Sequence, residues 1–97
     1  MTTYVLSPRA RRDLSDIWDY SAGQWSAAQA DIYVRLIVEA CERLGSGSIT
    51  GRSADTVRAG YFRHSVGSHV LFYRARRRGG IEIVRILHRR MDIERHL

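Results

Sequence analysis

The sequence predicts an α+β domain in which a helical hairpin packs on a small, largely antiparallel sheet, with the element string β-α-α-β-β-β. Three observations point there. A short β-prone run is halted by a proline. Two amphipathic stretches follow, joined by about three residues. Three strand-like runs separated by glycine turns complete the chain.

The first run, TTYVL at residues 2–6, is β-prone and stops at Ser7-Pro8. Ser7 suits a helix N-cap, and Pro8 suits the first helical position, where its missing N–H removes no bond. Ala10, Leu14, Ile17 and Trp18 then recur at helical spacing on one face. Arg11, Arg12, Asp13, Asp16 and Asp19 are expected on the other face, and Gly23 is expected close to the helix end. The second helix opens at Ser26, with Gln29 placed to complete a capping box. Its apolar stripe is Ala30, Tyr33, Val34, Ile37, Cys41 and Leu44, and Gly45 is expected to end it. Two such helices with a short link pack as an antiparallel hairpin. The Gly/Ser/Thr-rich stretch at 45–57 reads as the one real loop. Strands are expected over Tyr61–Val66, His69–Arg74 and Ile81–His88, with turns at Gly67-Ser68 and Gly79-Gly80. Such spacing favours an antiparallel meander. A last half-turn of helix starts from Asp92.

With 97 residues, the chain makes a single domain, 1–97. Its 16 basic residues are all arginine, and the formal net charge is +6. The absence of lysine excludes a lysine base, a Schiff base and a lysine phosphate clamp. The charge favours an acidic or polyanionic partner. Cys41, the single cysteine, falls on an apolar stripe and reads as core in a reducing compartment, which implies a cytoplasmic protein. The start does not read as a signal peptide, because Pro8 and a charged stretch follow at once. No run approaches membrane-spanning length, and no membrane partner is expected.

The candidate chemistry is sparse. The four histidines lack ligand spacing, so neither a metal site nor a cofactor is expected. Arg76-Arg77-Arg78 reads as a solvated hairpin tip that deters edge pairing. Trp18 and Tyr33 read as hairpin-packing residues, and Trp25, at the bend, as a partly exposed aromatic. The remaining constellation is Arg63, His64, His69, His88, Arg89 and Arg90. Arginine to hold phosphate and histidine as acid or base are the parts needed to cleave RNA through its 2′-hydroxyl. A strand-end cap with surface charges fits the same residues, and their chemistry alone allows both.

Several stretches together resemble the ParE family of the RelE/ParE superfamily. They are LSPRARRDLSDIWDYSAGQW at 6–25, Ala28–Tyr33, Thr50-Gly51-Arg52, GYFRHSVGSHVLFYR at 60–74 and VRILHRRMDIERHL at 84–97. The resemblance covers nearly the whole chain and implies the toxin of a type II toxin–antitoxin module. RelE-like members of the superfamily are ribosome-dependent RNases, for which Arg63 and His88 are the matching positions. They typically add lysines or a glutamate as base, and often a tyrosine near the C-terminus. This chain has no lysine, carries Arg89 after His88, and has no tyrosine beyond Tyr73. ParE-like members instead poison DNA gyrase, as inhibitors rather than catalysts. On that reading the toxic surface is Arg63, His64, Arg89 and Arg90, with Met91 and Ile93 anchoring the tail. The resemblance also implies a ParD-like antitoxin with a disordered tail that orders on contact. An amphipathic segment is expected to dock on Leu14, Trp18, Trp25, Tyr33 and Ile37, or an added strand to extend the sheet. Direct nucleic-acid binding is not expected. A third reading is a toxin-like fold without toxicity that only binds a partner.

Overall fold

A computed structural model of the chain describes residues 3–97. β1 (Tyr4–Leu6) leads into α1 (Pro8–Gln24) and α2 (Ala27–Ser46). β2 (Arg52–Ser53), β3 (Tyr61–Val66), β4 (His69–Ala75) and β5 (Ile81–His88) follow, and α3 (Ile93–His96) closes the chain. The α+β class and the helical hairpin on a mostly antiparallel sheet are as the sequence predicts. Thr2, at the start of the expected first strand, lies outside the described residues.

Both helix starts form as expected. Ser7 Oγ accepts the Ala10 N–H at 3.0 Å, and Ser26 Oγ accepts the Gln29 N–H at 3.1 Å. Ser7 also donates to the Val84 carbonyl at 2.6 Å, which ties the start of α1 to β5. Both helices run past the glycines expected to end them. α1 continues through the exposed Gly23 and stops at Trp25, whose N–H bonds the Ser21 carbonyl. α2 continues through Gly45 and stops at Gly47, where φ is +82°. Gly45 has a different reason to lack a side chain. A Cβ there would stand 2.6 Å from Thr3 Oγ1 and 2.8 Å from the Thr3 carbonyl oxygen.

The sheet order is β1-β5-β4-β3-β2, with β1 parallel to β5 and the other pairs antiparallel. β2 is a two-residue edge strand inside the stretch expected to be loop. It forms because Gly51 lets the chain close on β3. The Gly51 N–H donates to the Tyr73 hydroxyl at 2.8 Å, and a Cβ would meet both that hydroxyl and the Arg63 carbonyl oxygen at 2.6 Å.

A register shift opposite Phe72 and Tyr73 leaves Val84 as an extra residue in β5. The bulge changes which residues share a face. Ile83 and Ile86, three apart, both join the core under the helices with Ile37, Cys41, Leu71 and Tyr73. Val84 and Leu87 join a smaller cluster on the far face with Val70, Phe72, Tyr61 and Ala54, which Ile93 and Leu97 of the tail help to cover. Cys41 is in the core as expected, and burial pushes its thiol up to about 12. Among the described residues no helix is long and apolar enough to cross a membrane.

Candidate functional site: an apolar groove and an anchored tail

Two features lie at the end of the sheet where β5 finishes. The first is a groove of about 860 Å³ between α1, the start of α2 and the ends of β4 and β5. Ile17, Tyr20, Trp25, His69, His88 and Met91 are among its lining residues. Tyr20 is 66% exposed, Trp25 69% and Met91 41%, so large apolar side chains stand open to solvent around it. Such an exposed patch marks an interaction site more often than bare surface.

A hydrogen-bonded ring system lines part of the groove. The Tyr33 hydroxyl accepts the Ser68 N–H at 3.1 Å and lies 2.7 Å from His69 Nδ1. His69 and His88 are register partners on β4 and β5, and their rings meet edge-on with centroids 5.2 Å apart. Burial, then the charge of His88, lowers the His69 pKa, while Asp13 opposes both. The Arg90 N–H donates to His88 Nδ1 at 3.1 Å, so this nitrogen carries no proton in that bond.

The second feature is the anchor of the C-terminal tail. Arg85 is 9% exposed in mid-β5. Its Nε and one terminal nitrogen donate to the two Asp13 carboxylate oxygens at 2.8 and 2.9 Å, and its other terminal nitrogen donates to the His96 carbonyl at 2.9 Å. This hydrogen bonding, strengthened by the Asp13 charge against an opposing desolvation, raises the Arg85 pKa further. Asp13 Oδ2 also accepts the Ile86 N–H at 2.9 Å. β1 pairs with β5 only through Ile83, and the Asp13 carboxylate takes the place of a strand neighbour beyond it. Asp13 was expected on the solvent side of α1. Its side chain is instead mostly buried, because the sheet edge offers an orphan N–H and a cation. An arginine inside the apolar run IEIVRIL was the available signal for this pair.

The expected site residues divide between the two faces of the sheet. Arg63 lies on the face away from the helices, its guanidinium 5.5 Å from the Phe72 ring centroid. His64 is the next residue along β3 and alternates to the helix side, half-buried. His88 also lines the helix-side groove. Arg63 is register-aligned with Phe72 and Arg85, whereas His88 is aligned with His69 and Val66. Two strands and three residues of offset put Arg63 and His88 roughly 14 Å apart, on opposite faces. The two are therefore not brought together as a catalytic pair. Arg89 and Arg90 are exposed in the turn after β5, which the Arg89 N–H fastens to the Ser68 carbonyl at 2.9 Å. Ile93 packs on the far-face cluster, while Met91 lines the groove.

The hairpin residues are not one surface either. Leu14 is half-buried against the core, and Trp18 bridges the helices through an indole N–H to Asp31 Oδ1 at 2.8 Å. Ile37 is wholly buried between helices and sheet, so its expected contact with a partner is corrected: no segment reaches it in the folded chain. Trp25 and Tyr33 do line the groove, with Tyr20 and Ile17, which the sequence reading assigned no such role. Among the described residues no group of three potential metal ligands occurs.

A family model described as "ParE toxin of type II toxin-antitoxin system, parDE" matches residues 4–93. The chain belongs to this family. Toxin ParE1 of Mycobacterium tuberculosis (strain CDC 1551 / Oshkosh) is 44% identical over 94 residues, covering 97% of this chain and 96% of that protein. Toxin ParE1 of Caulobacter vibrioides is 42% identical over 97 residues, covering 100% of this chain and 99% of that one. A solved structure described as "Chromosomal ParDE TA system from P. aeruginosa" shares the fold, with TM-score 0.77 at 22% identity, covering 91% of this chain and 96% of that one. This chain is thus the toxin of a ParDE-type toxin–antitoxin system.

Proposed function

We propose that this toxin acts as a protein inhibitor of DNA gyrase and is neutralised by a ParD-like antitoxin whose tail occupies the apolar groove. The observation that carries the inhibitor reading is the separation of Arg63 from His88 on opposite sheet faces. Cleaving RNA would require a base and a phosphate-binding group within reach of the same ribose and phosphate. An inhibitor needs only a rigid, charged surface. Arg89, Arg90 and the tail form such a surface here, with Ile93 packed on the sheet and the His96 carbonyl held by Arg85. Gyrase as target agrees with the cytoplasmic location that the single reduced cysteine suggests.

The antitoxin reading rests on the groove. Tyr20, Trp25 and Met91 offer apolar anchors around His69 and His88, suited to a segment that orders on binding. Its acidic residues would face the arginine-rich surroundings and speed encounter. The sheet edges are poorer docking sites, because β1 has three residues and β2 has two.

The deciding experiment assays purified toxin for gyrase supercoiling and gyrase-dependent DNA cleavage, beside mRNA cleavage on translating ribosomes. Gyrase inhibition with intact mRNA is expected. Arg89→Glu combined with Arg90→Glu should abolish that inhibition in a variant whose circular dichroism is unchanged. Ribosome-dependent cleavage with unaffected gyrase would overturn the reading.

A further inference from the structure

The sheet face turned away from the helices carries a basic patch that neither the groove nor the tail accounts for. Tyr61 and Arg63 share this face by alternation along β3, with Phe72 beside them on β4. Arg63 is the direct register partner of Arg52 on β2. Their side chains therefore leave neighbouring strands on the same side, with Cβ atoms about 5 Å apart. Like charges so placed weaken a strand pair unless something of opposite sign offsets them.

Among the described residues no carboxylate, that of the C-terminal Leu97 on this face included, forms an ion pair with Arg52, Arg58 or Arg63. Among the described residues the ion pairs are Arg74–Glu82 and Arg85–Asp13. Glu82 is engaged by Arg74, its own register partner. Asp55, in the loop above, accepts the Gly60 N–H at 2.8 Å. Glu94 in α3 is followed at once by Arg95.

The arginines are also held in place. Arg63 lies over Phe72, and Arg58 from the 54–60 loop lies 5.8 Å from the Tyr61 ring centroid. Stacking holds a guanidinium by its flat face and leaves its N–H edges free for an acceptor. The rings themselves are not available as platforms, since Phe72 is 0% exposed and Tyr61 7%. The face thus offers donors without a stacking surface. Its apolar residues Val84, Ile93 and Leu97 are partly buried against the cluster, and none is strongly exposed as an anchor for a peptide side chain. Among the described residues the exposed large apolar side chains are Tyr20, Ile32 and Leu36 on the helices, Trp25 at their bend and Met91 at the groove. A peptide would find charge here but no pocket, whereas a phosphate backbone needs only the charge and the donors.

We propose that Arg52, Arg58 and Arg63 bind the phosphate backbone of DNA, without reading its sequence. The contact does not rest on the Arg89 and Arg90 surface of the gyrase reading, and of the residues expected for that surface it uses Arg63 alone. It departs from the expectation, set beside the ParE resemblance, that the chain does not bind nucleic acid directly.

The test is fluorescence anisotropy of purified toxin with a short mixed-sequence DNA duplex, over about 50 to 200 mM salt. Three phosphate contacts contribute about −2.7 to the slope of log affinity against log salt, at about −0.9 each. Arg52→Gln combined with Arg63→Gln should make the slope shallower by about 1.8. Arg9→Gln combined with Arg12→Gln, on the exposed side of α1, makes the same change in net charge and should shift it by less than half as much. Arg52→Gln alone, which leaves the packing on Phe72 intact, should shift it by about 0.9 and guards against misfolding of the double variant. Three results would each overturn the proposal: equal losses in the two double variants, no binding of duplex at the lowest salt, or polyglutamate displacing the duplex at lower concentration of charge.

Discussion

Replacing Asp13 by alanine is expected to destabilise the fold by about 3–5 kcal/mol. The carboxylate accepts three hydrogen bonds, two from Arg85 and one from the Ile86 N–H. Both charged side chains are nearly enclosed, at 11% and 13% exposure. Without Asp13, the guanidinium keeps the His96 carbonyl and loses its counter-ion, and the Ile86 N–H is orphaned at the sheet edge. An unsatisfied buried donor costs about 1–3 kcal/mol by itself, and the uncompensated charge supplies the remainder. A domain of this length holds about 5–15 kcal/mol in total, so the variant folds but with little reserve. Its melting temperature should fall by roughly 12–40 °C, at about 4–8 °C per kcal/mol for a domain near this size. Urea titration followed by circular dichroism gives the change, provided the m value is unaltered. Asp13→Leu combined with Arg85→Met should recover most of the loss, because a packed apolar pair can replace a buried ion pair. A loss under about 1 kcal/mol for Asp13→Ala would refute the argument, since that is the behaviour of an exposed ion pair.

Trp25→Ala and Tyr20→Ala should each weaken antitoxin binding by about 2–4 kcal/mol, or roughly 30- to 1000-fold, with unchanged circular dichroism. Titration calorimetry measures this; affinities within threefold of the original would remove the groove as the docking site. The His69 pKa is lowered mainly by burial and then by His88, so the folded chain takes up this proton less readily than the unfolded one. Its contribution to stability is present above the unfolded value of about 6.5 and is lost as pH falls through the lower folded value. The melting temperature should therefore drop on acidification in that window more steeply than in His69→Gln, and parallel curves would contradict this. Gly51→Ala should cost about 1–3 kcal/mol and expose β2 to amide exchange, because the added carbon meets the Arg63 carbonyl oxygen and the Tyr73 hydroxyl at 2.6 Å. Retention of protection at Arg52 and Ser53 would show that the loop shifts without strain.

The helices and the meander were legible because local signals agree there. Ser7-Pro8 and Ser26 cap, the apolar residues keep helical spacing, and Gly67 and Gly79-Gly80 turn the chain. Gly23 and Gly45 misled about the helix ends, since a glycine signals permission to turn and not the obligation. β2 was not legible, because two residues carry no periodicity and its formation depends on the distant Tyr73. Of the candidate site, Trp25, Tyr33, His88 and Met91 were named from sequence and do border the groove. Ile37 was misassigned because spacing identifies an apolar stripe without saying what covers it.

By itself, the sequence determined the order of the first strand, the helical hairpin and the three meander strands, the positive charge carried entirely by arginine, and the family. Those properties depend on residue type and on neighbours along the chain. The tertiary structure alone decided which face each strand residue occupies. The extra residue in β5 places Arg85 where it meets Asp13 across 72 positions of sequence. Alternation then separates Arg63 from His88, and the packing of α1 and the start of α2 over the ends of β4 and β5 leaves the groove. A strand residue shows its type locally, but its face is set by register, and register is fixed by partners that the local sequence does not contain.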